Sequence, residues 1–290
     1  MDHISKALEK NRADQKNLAQ SGRTRGVRDW VRPDAIGSNS DIPALGFKKA
    51  EIDLNILRGN HVLLDTGDPV ALDRYRLLRT RVLQLMSANR WSSLGVTSPG
   101  AREGKTLTSI NLAMAIARDG AQRVFLIDAD LRKPSIAKTL GVQSESGVLD
   151  FLREDADLSD IMFTLDGIEN LVVLPGRQDI ERPAESELLR SKRITVLFDQ
   201  IHKMDRNALV LVDFPPVLVA DDVIALAPLL DSILLVIADG QTDVDQLASA
   251  AELLSEYNLL GTALNRCTEN TSASEGYYGY YQDAPMAQED

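Results

Sequence analysis

Short apolar runs alternate with helical stretches over most of the chain, and this alternation is the main structural signal in the sequence. The runs are typical of buried strands and cover residues 94–97, 124–127, 171–174, 209–212, 233–237 and 262–264. Apolar residues recur at helical spacing from residue 69 onward, and further helices are predicted at 107–118, 185–203, 219–229 and 244–257. Strands that are apolar throughout and alternate with helices indicate an α/β fold, with a mostly parallel sheet flanked by helices on both faces.

The two ends of the chain lack this alternation, which divides the sequence into three parts. Residues 1–60 are interpreted as a flexible N-terminal leader and linker, with a short helix at 4–19 and a stretch rich in Gly, Ser, Arg and Pro at 20–46. Residues 61–267 contain all the predicted strands and form one folded domain. Residues 268–290 are rich in Ser, Thr, Gly, Glu and Tyr, which is typical of a flexible tail.

The composition of the chain limits the cellular compartments and the classes of partner that fit it. The chain has 44% hydrophobic and 26% charged residues, the balance of a globular protein, and its net charge of −11 disfavours nucleic acid as a partner. Its single cysteine, Cys267, cannot form an internal disulfide, which favours a cytoplasmic location. No apolar run reaches the roughly 20 residues that a membrane span needs.

The leader differs from the rest of the chain in its charge. Residues 1–33 contain eight Lys or Arg against four Asp or Glu. Together with Trp30, such a segment is suited to anionic lipid or to an acidic partner. The same composition also fits a solvated leader without a partner, and both interpretations stay open.

A phosphate-binding loop is predicted between the strand at 94–97 and the helix that follows it. The segment 97–106 reads Thr-Ser-Pro-Gly-Ala-Arg-Glu-Gly-Lys-Thr. In this context backbone N–H groups and the helix N-terminus point at an anion. Lys105 is then placed to contact the β- and γ-phosphates, and the Thr106 hydroxyl to bind Mg²⁺. The strict pattern fails at one position, because Pro99 stands where the first glycine belongs, and a plain loop is the alternative.

Acidic residues follow two of the predicted strands. Asp128 and Asp130 follow the strand at 124–127, and Asp213 follows the strand at 209–212. Open α/β sheets bind ligands at the carboxyl edge of their strands, and carboxylates are suitable ligands for Mg²⁺. The alternative is that these acids cap the following helices. It accounts less well for three acids after two buried strands beside a phosphate loop.

Three segments together resemble the bacterial tyrosine kinase family. They are the loop, Ile-Asp-Ala-Asp-Leu-Arg-Lys-Pro at 127–134 and Asp-Phe-Pro-Pro at 213–216. Members of this family carry a Walker A loop, a Walker A′ motif and a Walker B motif on a P-loop NTPase fold that is related to the MinD and ParA ATPases. The resemblance covers residues 65–270 and extends into the tail.

The resemblance implies ATP and Mg²⁺ as cofactors and assigns roles to individual residues. The implied catalytic residues are Lys105 on the phosphates, Asp128 beside the attacking hydroxyl, and Asp130 in the A′ motif. Arg132 also fits the A′ motif. The implied Mg²⁺ ligands are Thr106 and Asp213. The implied ATP-binding residues are Gly100, Ala101, Arg102, Glu103, Gly104, Lys105, Thr106, Leu107 and, as an adenine contact, Asn265.

Two positions depart from the family pattern. Arg102 stands where family loops have a glycine, and a positive φ there would cost on the order of 1 kcal/mol. The family's assembly motif, Glu-x-x-Arg-x-x-Arg on an early helix, is filled here by Asp73, Arg76 and Arg79, which share one helical face. These residues are predicted to build a homo-oligomer, and the alternative is a charged face in solvent.

Four of the six tyrosines of the chain stand beside glycines in the tail: Tyr277, Tyr278, Tyr280 and Tyr281. Tyrosine is uncommon in flexible segments because its ring favours burial. Clustered phenols on a loose tail therefore indicate phosphorylation sites for the chain's own activity, and an incidental docking patch is the alternative.

The favoured function is an ATP-dependent protein tyrosine autokinase. The resemblance implies that it regulates capsule or exopolysaccharide synthesis and export, at the inner face of the membrane, with a membrane-spanning polysaccharide co-polymerase as activator. A ParA- or MinD-like positioning ATPase and a non-catalytic ATP-binding regulatory partner are the alternatives. Positioning ATPases carry a lysine five places before the loop lysine, where this chain has Gly100, and the tyrosine cluster favours the kinase.

Overall fold

The computed structural model describes residues 46–64, 68–177 and 186–267, which form an eight-stranded sheet with helices packed on it. The helix predicted at 4–19 and the four clustered tail tyrosines lie outside the described residues. None of the described helices is both long enough and apolar enough to cross a membrane.

The sheet is mostly parallel, as predicted. Its strands are β1 Lys48–Ala50, β2 Ser93–Thr97, β3 Val124–Asp128, β4 Phe163–Leu165, β5 Ile168–Leu174, β6 Leu209–Asp213, β7 Ser232–Ala238 and β8 Leu259–Asn265. Across the sheet their order is β1-β4-β5-β3-β6-β2-β7-β8. The hairpin of β4 and β5 is antiparallel, and all the other neighbouring strands are parallel.

The helices connect these strands. They are α1 Leu54–Gly59, α2 Pro69–Asn89, α3 Lys105–Arg118, α4 Ile136–Thr139, α5 Val148–Leu152, α6 Leu158–Ile161, α7 Ser186–Leu189, α8 Lys192–Met204, α9 Asp222–Leu226 and α10 Val244–Leu253, with a 3₁₀ turn at Ala227–Leu229. The N-terminus of α2 is well defined. The carboxylate of Asp68 accepts hydrogen bonds from the backbone of Val70 and Ala71, and proline follows the cap, where a missing N–H costs little.

Both faces of the sheet are covered by hydrophobic core. Side chains alternate between the faces along a strand. Phe125 and Ile127 of β3 therefore belong to one buried cluster, together with residues of α5, α6 and α8. Val124 and Leu126 belong to a second cluster, together with residues of α1, α2 and α3. This two-sided burial explains why β3 is apolar at four successive positions, 124–127.

Three of the predicted helices differ from the structure by more than two residues. The helix predicted at 185–203 is divided, because Ser191 is extended (φ −69°, ψ 160°) and acts as the N-cap of α8. The region predicted as a helix at 219–229 forms α9 from Asp222, and Pro228, which has no N–H, lies in the 3₁₀ turn. The last helix, α10, ends at Leu253 rather than at residue 257.

The folded domain begins earlier than the boundary predicted at residue 60. Strand β1 pairs with β4 at the edge of the sheet, and Leu57 of α1 is fully buried. Both elements lie inside residues 1–60, the predicted leader and linker. They escaped prediction because β1 has only three residues, two of them exposed lysines, and carries no apolar run.

The strand order places the functional segments side by side. Strands β3, β6 and β2 are adjacent and parallel, so their carboxyl ends meet at the same edge of the sheet. Asp128 at the end of β3 is the register partner of Asp213 at the end of β6. The phosphate loop begins at the end of β2, next to Asp213.

Candidate active site

The predicted phosphate loop leads from β2 directly into α3. Gly104, the residue before α3, has φ 93°, a conformation that favours glycine. A Cβ atom there would lie 1.9 Å from Asn265 Nδ2. This amide donates a hydrogen bond of 2.9 Å to the Glu103 carbonyl. Asn265, at the end of β8, therefore holds the loop in place, while its adenine contact stays a prediction.

Glu103 fixes the loop at a second point. Its side chain is buried, and its carboxylate accepts hydrogen bonds from the backbone N–H of Gly100 at 2.9 Å and from the hydroxyl of Thr242 at 2.6 Å. Thr242 follows β7, so the bond ties the loop to the neighbouring strand. The loop is thus shaped by contacts within the chain, which leaves its other N–H groups preorganised for an anion.

Arg102 has φ 65°, in the left-handed region that L residues avoid. We expect Arg102→Gly to raise the free energy of unfolding by about 1 kcal/mol, because glycine adopts this conformation without strain. Ala101 is the matched control: it is also exposed and has no positive φ. Ala101→Gly should therefore destabilise the fold. Urea unfolding of both variants measures the difference, and equal destabilisation by both would contradict the strain assigned to Arg102.

Lys105 extends from the first turn of α3 into a cluster of acids. Its ammonium lies 3.3 Å from Asp130 Oδ2 and 3.8 Å from Asp213 Oδ2. Burial works against the charged form, but Asp213, Asp130 and Asp128 outweigh it and raise the pKa of Lys105 above its usual value. The lysine is therefore a fixed cation, which suits a contact with phosphate.

Thr106 and Asp213, the two predicted Mg²⁺ ligands, contact each other. The Thr106 hydroxyl donates a hydrogen bond of 2.7 Å to Asp213 Oδ2, and Ser109 donates one of 2.9 Å to Asp213 Oδ1. No group of three or more His, Cys, Asp or Glu in the described ranges is arranged to hold a metal alone. At phosphate sites Mg²⁺ binds one or two protein oxygens and completes its shell with phosphates and water. The hydroxyl and the buried carboxylate fit such a role.

Asp128 is held differently from the other two acids. Its carboxylate accepts hydrogen bonds from the backbone N–H groups of Ser135 at 2.8 Å and Ile136 at 3.0 Å. Burial and the neighbouring charge of Asp213 outweigh these bonds and raise the pKa of Asp128 to about 7. A carboxyl group with this pKa can accept a proton at neutral pH.

The site also places two hydroxyls that the sequence analysis missed. Ser109 lies three residues after Thr106, so both face the same side of α3 and bond the same carboxylate. Ser135, one residue beyond the A′ segment, donates a hydrogen bond of 3.3 Å to the Thr106 hydroxyl. The helical spacing of Ser109 is a signal that could have been used. Ser135 carries no such signal, because its partner is distant in sequence.

Comparison with known proteins shows the family of this chain. Residues 100–266 match the family model described as an AAA domain. The chain is 31% identical over 210 residues to the tyrosine-protein kinase YwqD of Bacillus subtilis (strain 168), which covers 71% of this chain and 86% of that protein. The chain belongs to the bacterial tyrosine-protein kinase family.

Solved structures support the same assignment for the fold of this kinase. The kinase domain of the Escherichia coli tyrosine kinase ETK is 27% identical to this chain, with a TM-score of 0.60. The match covers 69% of this chain and 78% of the ETK chain. The septum site-determining protein MinD of Pyrococcus horikoshii, complexed with Mg-ADP, is 22% identical, with a TM-score of 0.50 over 63% of this chain and 76% of its own. This second likeness shows the shared P-loop ATPase fold alone.

The remaining predicted residues lie in other surroundings. Arg132 is half-exposed and faces acids at the start of α9, with its Nε 3.7 Å from the carboxylate of Asp222. In α2, Asp73 and Arg76 pair with each other at 2.9 Å and are exposed. Arg79 turns instead to the end of α3, where it pairs with Asp119 at 2.9 Å. The assembly role stays a prediction, and of the two arginines Arg76 is the exposed one.

Proposed function

We propose that this chain is a tyrosine autokinase that transfers the γ-phosphoryl group of ATP to the tyrosines of its own tail. The observation that carries the proposal is the division of labour among three neighbouring acids. Asp213 binds the hydroxyls of Thr106 and Ser109, and Asp130 pairs with Lys105. Asp128 forms no ion pair with the described residues, and its carboxylate is bonded by backbone N–H groups.

The reaction needs a base because a tyrosine hydroxyl has a pKa near 10 and is a weak nucleophile at neutral pH. The phenolic oxygen attacks the γ-phosphorus. At the same time, the bond between the γ-phosphorus and the oxygen that bridges to the β-phosphate breaks. The phenolic proton passes to the Asp128 carboxylate, and ADP leaves. Lys105 and the loop N–H groups stabilise the charge on the phosphoryl oxygens, and orientation by fixed groups supplies much of the remaining rate.

ATP and Mg²⁺ are assigned to this site as follows. The loop residues 100–107 would surround the phosphates, with Asn265 on the adenine side. Thr106 and Asp213 would hold Mg²⁺, which supplies charge neutralisation on the β- and γ-phosphates. The buried carboxylate and its hydroxyl partner support this assignment, since an acid kept in place by two hydroxyls is suited to a hard cation.

The cellular setting of the proposal follows from the family. We place the kinase at the inner face of the membrane, where it regulates capsule or exopolysaccharide synthesis and export. Its partners would be further copies of this chain and a membrane-spanning polysaccharide co-polymerase that activates it. The negative net charge of −11 supports the exclusion of nucleic acid as a partner. The exposed pair of Asp73 and Arg76 is the part of the predicted assembly face that is available to a neighbouring copy.

We expect phosphate to pass between chains. The test mixes a Lys105→Met chain with an intact tail and an active chain whose tail tyrosines are all Phe: Tyr277, Tyr278, Tyr280 and Tyr281. With ATP and Mg²⁺, phosphotyrosine should appear on the Lys105→Met chain, which cannot phosphorylate itself. Mass spectrometry of that chain measures it.

The control replaces the active chain by one that combines the four Phe substitutions with Lys105→Met, and it should give no phosphotyrosine. Phosphate that appears on wild-type tails but never on the Lys105→Met chain would show that each tail enters its own site. Phosphotyrosine that is absent from every sample, wild type included, would contradict the kinase assignment itself.

A further inference from the structure

A cavity of about 410 Å³ opens beside Asp128. It is lined by the segment that carries α4 and by the residues that follow β5. In the sheet β5 and β6 flank β3 on opposite sides, and the phosphate loop lies beyond β6. Asp128 therefore stands between the cavity on one side and the phosphate site on the other.

The walls of the cavity suit an aromatic ring. Pro134, Ala137, Val142 and Pro175 contribute apolar surface to its lining. A planar ring that packs on these residues buries apolar area, and its polar end then points towards the Asp128 side of the cavity. The cavity therefore offers apolar surface beside Asp128, which suits a phenol.

Gly176 keeps the inner end of the cavity close to the carboxylate. A Cβ atom at this position would lie 2.7 Å from Pro134 Cβ and 3.2 Å from Asp128 Cγ. Any larger residue would thus push the proline or crowd the carboxyl group. Glycine here allows the backbone after β5 to pass beside Asp128 without filling the cavity.

Two basic side chains lie at the rim of the cavity, and they differ in whether an acid of this chain neutralises their charge. Arg177 contacts the carboxylate of the buried Asp150, so its charge is largely compensated. Lys138 of α4 is exposed and forms no ion pair with the described residues. Lys138 therefore supplies the uncompensated positive charge at the mouth of the cavity.

The tail has the complementary composition. Residues 268–290 contain five Asp or Glu and no Lys, Arg or His. Glu275 stands two residues before Tyr277, and Asp283 stands two residues after Tyr281. Two extended residues span roughly 7 Å, so a carboxylate can reach the rim while the neighbouring ring occupies the cavity.

We propose that this cavity is the acceptor site for tyrosine and that Lys138 makes it select tyrosines with a carboxylate two residues away. The occupant is the tail segment 275–283 of this chain. The inference rests on the proposed kinase function and adds the substrate class: acidic tyrosine segments. Lys138 attracts the flanking carboxylate and lies outside the groups that contact ATP, so it governs binding of the acceptor rather than the transfer step.

The test measures KM and kcat for synthetic peptides of residues 272–285, phosphorylated by the full chain whose four tail tyrosines are Phe. One peptide is unchanged, a second carries Glu275→Gln and Asp283→Asn, and a third carries Lys at both positions. Lys138→Glu should raise KM about five-fold for the unchanged peptide, because an attraction becomes a repulsion, and leave kcat unchanged. It should leave KM for the second peptide unchanged and lower KM for the third.

The control is Lys203→Glu, which makes the same change of charge near the end of α8. Since β6 begins after that helix end, Lys203 lies towards the opposite edge of the sheet, and its variant should keep the wild-type KM for every peptide. About 0.5 M salt should remove the difference between the Lys138→Glu and wild-type enzymes, because exposed charges are then screened.

Two results would overturn the inference, and they differ in whether the proposed kinase function also fails. Wild-type and Lys138→Glu enzymes that phosphorylate all three peptides with the same KM would remove Lys138 as a selector and leave the kinase function intact. A wild-type enzyme that phosphorylates none of the peptides, nor its own tail, would contradict the proposed function and the acceptor site with it.

Discussion

Replacing Lys105 by Met should reduce ATP-dependent tyrosine phosphorylation by roughly 10³-fold or more, because the transferring phosphoryl group loses its fixed cation. Its ammonium lies 3.3 Å from Asp130 and 3.8 Å from Asp213 at the start of α3, and its side chain is largely buried. Initial rates of phosphotyrosine formation, with purified variant and wild-type protein, measure this loss.

The Lys105→Met chain should remain folded. Removing the lysine leaves Asp213 without its cation, yet the hydroxyls of Thr106 and Ser109 still donate to both of its oxygens. A protonated carboxyl group is also tolerated there, since burial already raises the pKa of Asp213. Circular dichroism and a cooperative unfolding transition check the fold. Lys203→Met is the matched control and should keep full activity, and a normal rate from folded Lys105→Met would refute the phosphate site.

Asp128→Asn and Asp213→Asn should fail in different ways. Asp128→Asn should lose about 10²–10⁴-fold in kcat and keep most of its affinity for ATP with Mg²⁺, because removing a general base spares ground-state binding. Asp213→Asn should weaken that affinity, since it removes the carboxylate assigned to the cation. Calorimetry of nucleotide binding with parallel rate measurements separates the two roles. Equal loss of nucleotide affinity in both variants would show that the division is wrong.

The pH dependence gives a second test of Asp128. Its pKa is raised to about 7, so the form that accepts a proton is populated above that pH. The wild-type rate should rise as pH increases through about 7, and the residual rate of Asp128→Asn should lack this rise. A wild-type rate that is flat from pH 5 to pH 8 would contradict the assignment of Asp128 as base.

The raised pKa of Asp128 also makes the free energy of unfolding depend on pH. A carboxyl group in the unfolded chain titrates near pH 3.9, so between about pH 4 and pH 7 the folded chain binds more protons than the unfolded chain. The contribution of Asp128 to the free energy of unfolding therefore falls as pH rises through this window. Asp128→Asn removes the titration, so in urea unfolding the variant should gain stability relative to wild type as pH rises from about 4 to about 7.

The central part of the fold could be predicted from the sequence because its strands are buried on both faces. Each of β2, β3 and β6 is a run of five buried residues, and such runs stand out in the sequence. The edge strands could not be predicted this way. Strand β4 has three residues and is held by a tight turn at Asp166 and Gly167 before β5, and β1 depends on pairing with β4.

In the candidate site, too, the sequence predicts some residues and not others. Asp128, Lys105 and Asp213 could be named because each follows a strand or opens a helix. Their partners could not, since the partners are distant in sequence: Thr106 and Asp213 are 107 positions apart, and Asn265 is 162 positions from the carbonyl that it bonds. Sheet register and strand order bring such pairs together, and neither is encoded in local periodicity.

Arg79 illustrates how the structure changes an interpretation drawn from spacing. Helical spacing puts Asp73, Arg76 and Arg79 on one face of α2, which is consistent with the family motif. Arg79 nevertheless lies against α3, where it pairs with Asp119 and donates a hydrogen bond of 3.3 Å to the Ala115 carbonyl. One face of α2 therefore has two environments: Arg79 contacts α3, while Asp73 and Arg76 are exposed.

The fate of the γ-phosphate is the most direct test of the account. Purified wild-type protein is incubated with ATP labelled at the γ-phosphate and with Mg²⁺, and the label is divided into protein-bound and free phosphate. The account predicts label on tyrosines of residues 277–281 and none on a chain in which these four tyrosines are Phe. Label released as free phosphate, with none on tyrosine, would contradict the account and identify an ATPase without kinase activity.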